Sequence, residues 1–343
     1  MHNIDKIKPK ANNQNRPYDI NTKNVVFLVI DGLGARYIES LGDNDVVLDG
    51  IIVEKANFGA FFGSNYSATT VEQIFTETIS AHSLYYIAGD CNKQWGDIKS
   101  CVDDTGITTI CDLYKSNGYI CIMVSEAGDF REARNEFDVV FYDSNFWEFK
   151  VELNSQRPEA YKIADFLSSR INKADGLKSY KSSEVGSFVD YSFFIIETDV
   201  LLIEFIRENL PSTKFFIFSN AKGIDLCGHK LNPKDYLSCI EGLGSKLSEL
   251  QRIADENTVL FVTADHGMVF NCLQCRGHHT DASNNHFARE IPFIYIGNQK
   301  VELQSGLAYD IMPTVFELSG FSGACNLMRY CKGNSLVVNY YGS

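Results

Sequence analysis

The sequence predicts an α/β fold: a mostly parallel central sheet flanked by helices on both faces, with a small cap insertion. Three observations carry this. Continuous apolar runs at Asn24–Ile30, Lys214–Ser219 and Val259–Val262 read as strands covered on both sides. Such runs alternate with segments of helical period from residue 24 to residue 320. Each of the three runs leads into a carboxylate, namely Asp31, Asp225 and Asp265. That carboxyl edge is where open α/β sheets place their ligands.

The bulk properties narrow the class. The chain has 343 residues, 45% hydrophobic and 22% charged, as an ordinary globular protein does. A net charge of −13 argues against a nucleic-acid polymer as partner, because that affinity comes from Lys and Arg on phosphates. A phosphate remains accessible to an acidic protein if metal ions supply local positive charge. No run approaches the ~18 apolar residues of a membrane helix. Met1 to Ile20 is polar, without the apolar core of a signal peptide. The expectation is therefore a soluble, cytoplasmic protein. Ten scattered cysteines then read as reduced thiols rather than a disulfide framework, and Cys272-Leu-Gln-Cys275 is a lone CxxC pair.

In chain order, residues 1–23 form a polar lead and a single catalytic domain is expected over 24–336. After the first strand, Asp31-Gly32-Leu33-Gly34 permits a tight turn into a helix near Ala35–Leu41. Ile51–Phe62 reads as strand and loop. The hydroxyl cluster Ser64 to Thr70 precedes a helical stretch starting at Val71. It reads either as a helix N-cap or as a nucleophile held at a helix N-terminus. Thr108–Ser116 reads as helix, Tyr119–Val124 and Asp138–Phe141 as strands, and 158–172 and Tyr191–Asn209 as helices. Leu237–Ile253 is amphipathic, with Ile240, Leu243, Leu247 and Leu250 on one face. Ile291–Ile296 is a strand, and Tyr309–Leu318 a helix with Pro313 near its start. Segments 83–105 and 127–189 are aromatic and irregular, and are expected to form the cap. Their aromatics read as a base-stacking surface or as the cap's own core.

The polar residues concentrate. His229 follows Asp225, His266 follows Asp265, and five of the seven histidines fall between positions 229 and 286. Carboxylates with imidazoles suit Zn²⁺ or Mn²⁺. Such a set can build two adjacent metal sites, the arrangement used for in-line displacement at phosphorus.

At this point the chain resembles the alkaline phosphatase superfamily, especially its nucleotide pyrophosphatase/phosphodiesterase and phosphoethanolamine transferase branches. The matching pieces run in the family's order: VVFLVIDGLGAR at 25–36, SATTVEQIFTE at 67–77, TTICDLYKSNGY at 108–119, GIDLCGHKLNP at 223–233, VTADHGM at 262–268, GHH at 277–279, EIPFIYIG at 290–297, DIMPTVFELSG at 310–320 and GNSL at 333–336. The resemblance implies an alkaline phosphatase-like fold and two divalent metals, Zn²⁺ first and Mn²⁺ second. One metal would be bound by Asp31, Asp265 and His266, the other by Asp225, His229 and His279, with His278 as the neighbouring alternative and His286 as a surface residue. It implies a hydroxyl nucleophile about ten residues before a threonine-glycine signature. Thr76-Glu77 stands in that place, which selects Ser67, with Thr69 and Thr70 as alternatives. Asn65 is a candidate phosphoryl contact, or a turn residue. Arg36 and Lys222 could reach phosphate or lie on the surface. Formylglycine sulfatases are disfavoured, because the Pro and Arg that follow their nucleophile are Thr69 and Val71 here.

The implied function is a hydrolase of phosphodiesters or nucleotide pyrophosphates acting through a covalent phospho-Ser/Thr intermediate. The partner is a small phosphate-ester or nucleotide-like substrate. A soluble transferase to a small or sugar acceptor is the second reading, and a non-catalytic metal-stabilised binding protein the third.

Overall fold

The structure, a computed structural model, describes residues 22–41, 45–57, 66–73, 85–86, 109–126, 133–145, 148–177, 185–279 and 285–341. Its centre is a nine-stranded sheet. The strands are β1 (Asn24–Ile30), β4 (Tyr66–Glu72), β5 (Ile120–Ser125), β6 (Val139–Asp143), β7 (Phe149–Leu153), β8 (Phe215–Ala221), β9 (Thr258–Thr263), β10 (Glu290–Ile296) and β12 (Gly306–Leu307). Two small two-stranded sheets accompany it: β2 (Val46–Leu48) with β3 (Ile51–Val53), and β11 (Val301–Leu303) with β13 (Val337–Tyr340).

The sheet order is β12-β4-β10-β9-β1-β8-β5-β6-β7. The block β9, β1, β8, β5 and β6 is parallel throughout. β10 runs antiparallel to both β9 and β4, and β7 antiparallel to β6. β1 sits between β8 and β9, so both its faces and both its edges are covered. That is why Val25 to Ile30 is an unbroken apolar run with every residue buried.

Side-chain alternation puts helices on both faces. Phe216 and Phe218 point one way. There Phe216 stacks on Tyr114 of α1 (Ile110–Ser116), with ring centroids 4.3 Å apart. Ser219 points the other way and donates to Asp199 of α3 (Val185–Asn209). α3 also packs against α2 (Pro158–Leu177), α4 (Gly223–Lys230) and α5 (Pro233–Gln251). α1 starts at a capping box between Thr109 and Asp112. α5 starts at Asn232, whose side chain accepts from Lys234 N and Asp235 N, with Pro233 in the first turn. A single turn, α6 (His286–Arg289), enters β10, and α7 (Ile311–Leu318) follows β12.

The predicted fold class holds, and several local expectations are corrected. The helix expected over Ala35–Leu41 is one 3₁₀ turn, Ala35–Tyr37, because Ile38 turns extended and bridges to Ala56. The stretch after Ser64 does not open a helix at Val71. Residues 66–72 form β4, where a β-branched run pairs along its length with β10. Much of 127–189 joins the main sheet: β6 and β7 form its edge, and α2 packs against them. The expected insertion 83–105 lies outside the described residues apart from Tyr85 and Tyr86, both buried.

The cysteine expectation is corrected as well. Among the described residues, disulfides join Cys227 to Cys239, Cys272 to Cys275 and Cys325 to Cys331. Cys111 and Cys121 are free and buried. The first bridge spans α4 and α5, a proximity created by helix packing that sequence spacing does not reveal. The thiol argument for a cytoplasmic setting therefore falls away. No described helix is long and apolar enough to cross a membrane.

Candidate metal centre

The carboxyl edge of β9, β1 and β8 gathers the polar residues. Asp31 is the first residue after β1, and its N–H donates to Ala221 O at the end of β8. Asp225 lies in the first turn of α4, directly beyond β8. Asp265 and His266 follow β9. All four are buried: Asp31 at 2% exposure, Asp225 at 5%, Asp265 at 3% and His266 at 8%.

Close approach of the loops depends on Gly32. Its φ is +79°, and a Cβ there would lie 2.7 Å from Asp225 Cα. A side chain at this position would push the first carboxylate loop off α4. Gly32 N also donates to Asp265 Oδ1 at 3.0 Å, and His266 N donates to the same oxygen at 2.9 Å. Asp265 is thus oriented by two backbone amides, with Oδ2 turned to His266 Nε2 at 3.3 Å. Asp31 Oδ1 lies 3.4 Å from the same nitrogen. Asp31, Asp265 and His266 therefore present three convergent donor atoms, all within 4.8 Å of one another.

A second group adjoins the first. Asp225, His266 and His279 also converge within 4.8 Å. His229, one helical turn beyond Asp225 on α4, brings Nε2 to 3.2 Å from Asp225 Oδ1. His279 Nε2 is 3.8 Å from that oxygen. The rings of His266 and His279 stack with centroids 3.8 Å apart, so the two groups form one continuous centre.

The hydrogen bonds of the imidazoles decide what the centre can hold. His229 Nδ1 faces Gly277 O at 3.2 Å, and His266 Nδ1 faces Gly267 O at 3.0 Å. A carbonyl accepts only, so Nδ1 carries the proton and Nε2 presents its lone pair. Both Nε2 atoms then face carboxylate oxygens, an arrangement that a cation between them would satisfy. Asp225 Oδ1 is buried and satisfies no well-aligned hydrogen bond, although two imidazole nitrogens face it. Three buried carboxylates cannot sit so close unless positive charge compensates them. A divalent ion fits this donor set of oxygens and nitrogens, with carbonyls fixing the rings behind it.

Burial, then the neighbouring His266 charge, pushes the His279 imidazole down to about 4, so its lone pair is available at neutral pH. The facing Asp225 carboxylate holds the His229 imidazole above its ordinary value, against the opposing effect of burial. Burial favours the neutral form of Asp225, but the His229 hydrogen bond with the His266 and His229 charges outweighs it, and the carboxyl stays below its usual range.

Of the residues expected from sequence, Asp31, Asp265, His266, Asp225, His229 and His279 are brought together. His278 is not: its backbone bridges Val269, and its ring faces Asn271. His286 pairs with Glu290 at the surface. Arg36 is committed to Glu290 at 2.8 Å. Lys222 lies at the centre's rim, with Nζ 3.7 Å from Asp31 Oδ2.

The structure places Ser67, the expected nucleophile, away from this centre. Ser67 lies in β4 opposite Tyr295, which in turn lies opposite Phe261 of β9. That level is four residues short of Asp265, or about 13 Å along the strands, and two strands away across the sheet. The Ser67 hydroxyl donates to Val301 O and accepts from Val301 N at 3.1 Å, which ties β4 to β11. Its partners are structural. Thr69 stands opposite Phe293, level with Thr263, and Thr70 donates to Leu41 O at 2.7 Å. The end of β4 does reach the centre, since Gln73 Nε2 donates to Asp265 O at 2.8 Å. Asn65 and the hydroxyls Thr76 and Thr78 lie outside the described residues.

Sequence reasoning missed the buttresses that hold the ligand loops. Besides Gln73, the Tyr236 hydroxyl donates to Gly32 O at 2.6 Å and Tyr37 to Met268 O at 2.8 Å, while Tyr85 donates to Ala264 O. Each satisfies a carbonyl of a ligand-bearing turn from a distant part of the chain. No local motif marks such residues. Glu126 was missed too. It follows β5, accepts from Lys222 N and Ser192 Oγ, and supports the entry to α4.

A family model described as the Metalloenzyme superfamily matches residues 162–322. No curated protein matches the sequence. Among solved structures, a protein in the alkaline phosphatase superfamily from Vibrio parahaemolyticus is 16% identical with a TM-score of 0.55, covering 88% of this chain and 67% of that one. The lipoteichoic acid synthase LtaP from Listeria monocytogenes is 13% identical with a TM-score of 0.56, covering 92% of this chain and 76% of that one. The C-terminal periplasmic domain of EptC from Escherichia coli, in complex with Zn, is 13% identical with a TM-score of 0.52, covering 94% of this chain and 88% of that one. Sulfatases share the fold as well. The structural likenesses establish the alkaline phosphatase-like fold. With the matched family, they support a metal-dependent hydrolase or transferase.

Proposed function

We propose that this chain, which carries the alkaline phosphatase-like fold, is a two-metal phosphoryl-transfer enzyme of the phosphodiesterase or nucleotide pyrophosphatase type. The observation that carries the reading is the pair of merged donor groups. Asp31, Asp265 and His266 form one, Asp225, His229 and His279 the other, and the stacked His266 and His279 rings join them.

Bound divalent ions, Zn²⁺ first and Mn²⁺ second, would supply Lewis-acid stabilisation of the attacking and leaving oxygens. The chain's own residues do the rest. Gly267 O and Gly277 O hold the imidazoles in one tautomer, and Gly32 N with His266 N fixes the Asp265 carboxylate. A hydroxyl of the chain attacks phosphorus, the ester oxygen leaves, and water then releases the phosphoryl group from the enzyme. Because Ser67 is bonded to Val301, this hydroxyl is sought elsewhere in the 64–78 stretch. Thr69 is one candidate, and Thr76 follows Gln73, which contacts the centre.

A soluble transferase is the second reading. It is favoured by the shared fold of the lipoteichoic acid synthase and the EptC domain. One experiment separates the readings. The chelated protein is reconstituted with Zn²⁺ or Mn²⁺ and given bis-p-nitrophenyl phosphate beside p-nitrophenyl phosphate. Metal-dependent cleavage with the diester preferred supports the hydrolase reading. Release that rises with added acceptor alcohol supports the transferase. No turnover of either substrate, with both metals retained, contradicts the hydrolase reading.

A further inference from the structure

Asp31 divides its two oxygens. Oδ1 faces His266 Nε2 at 3.4 Å, within the metal-binding group, while Oδ2 faces Lys222 Nζ at 3.7 Å. The two sides differ in access: the Asp31 side chain is 3% exposed and that of Lys222 is 28% exposed. The ammonium therefore touches a buried metal-binding carboxylate and also reaches the open rim.

The backbone of Lys222 is fixed at this spot. It links β8 to α4, and its N–H donates to the Glu126 carboxylate. The next amide, Gly223 N, donates to Ser192 Oγ at 2.7 Å. A Cβ on Gly223 would meet Phe188 O at 2.1 Å, so the turn packs directly on α3. Arg36, the other cation considered from sequence, is held by Glu290 instead.

Charge balance gives the consequence. Three carboxylates set against two divalent ions leave one net positive charge, with the imidazoles neutral. Lys222 raises this to two. We infer that Lys222 binds an anionic oxygen of the substrate at the rim of the centre and so adds more affinity for phosphorus compounds bearing two negative charges, such as pyrophosphate esters, than for simple diesters bearing one. This rests on the two-metal phosphoryl-transfer reading and narrows its substrate class. Glu126 acts as a positioning residue that holds the Lys222 backbone.

The test is anion binding to the zinc-loaded protein by calorimetry at pH 8. Inorganic phosphate is the dianion and diethyl phosphate the monoanion. Lys222→Met keeps the aliphatic stem and removes the charge, and Lys222→Arg keeps the charge. A charge-assisted contact predicts that Lys222→Met weakens phosphate binding about 10- to 100-fold. Diethyl phosphate should weaken less than about threefold, and Lys222→Arg should recover most of the phosphate affinity. Zinc content is measured on each variant. Equal weakening for both anions, or unchanged phosphate binding with zinc retained, overturns the inference. So does loss of zinc from Lys222→Met, which would assign Lys222 to holding Asp31 alone. A wild-type protein that holds two zinc ions yet binds neither anion would instead overturn the phosphoryl-transfer reading itself.

Discussion

The His266 and His279 rings stack at 3.8 Å, tilted by 20°, although the two residues come from separate turns of the chain. His266 follows β9 directly. His279 arrives at the end of a loop closed by the Val269–His278 bridge and by Gly277 N donating to Gly228 O at 2.8 Å. That loop brings His279, rather than its neighbour, to Asp225 and His266. His279→Ala should remove one equivalent of zinc and cut metal-dependent turnover at least about 100-fold, the scale of disturbing a metal ligand or its support. His278→Ala should leave both within about twofold. Metal analysis of the two variants beside the wild type decides the matter.

Ser67 is expected to matter for folding and not for chemistry. Its hydroxyl satisfies both backbone groups of Val301 in a buried position. Ser67→Ala leaves these unpaired and should cost about 1–3 kcal/mol of stability, with kcat within about twofold at a temperature where the variant is folded. Urea unfolding and single-turnover kinetics measure the two effects. A loss of covalent phosphorylation in folded Ser67→Ala would restore it as nucleophile.

Two disulfides flank the second group. Cys227–Cys239 pins α4, which bears Asp225 and His229, to α5, and Cys272–Cys275 lies in the loop leading to His279. The Asp31, Asp265 and His266 turns carry no such bridge. Reduction by a water-soluble phosphine, which is oxidised to its oxide as the disulfides become thiols, should therefore weaken the second zinc by about 10- to 100-fold and leave the first in place. Cys227→Ser with Cys239→Ser should reproduce part of the effect without reductant. Stepwise zinc titration reads both.

Asp199 on α3 provides a pH prediction away from the centre. Burial pushes its carboxyl up to about 8, with the Ser219 hydrogen bond opposing. Its pKa in the unfolded chain is near 4. The folded state therefore binds the extra proton between about pH 4 and 8. Its stabilising contribution is complete below pH 4 and declines as pH rises through 8. Asp199→Asn, a neutral amide of similar shape, should flatten that decline and raise the thermal midpoint at pH 8 relative to the wild type. Thermal unfolding from pH 5 to 9 reads the difference in slope.

The parts legible in the sequence were those built from local pattern. The apolar runs of β1, β8 and β9 gave the parallel centre, and the residues directly after them gave Asp31, Asp225 and Asp265. The parts that were not legible depend on distant pairing. β4 resembles a capped helix start until β10 is laid beside it. The strand β7 looks like part of an irregular insertion until β6 provides an edge. Cys227 and Cys239 become partners when α4 and α5 pack. Tyr236, Tyr37 and Gln73 each support a ligand turn more than 190 residues away along the chain. Ser67 was selected by counting along the chain, and counting carries no information on which end of a strand faces the site.

The central claim is a two-metal centre, and stoichiometry tests it most directly. The chelated protein is titrated with zinc, and bound metal is measured by mass spectrometry for the wild type, Asp225→Asn and Asp265→Asn. The account predicts two zinc ions per wild-type chain and one in each variant, with diester turnover lost in both. One zinc or none in the folded wild type, or turnover that survives complete chelation, would contradict it.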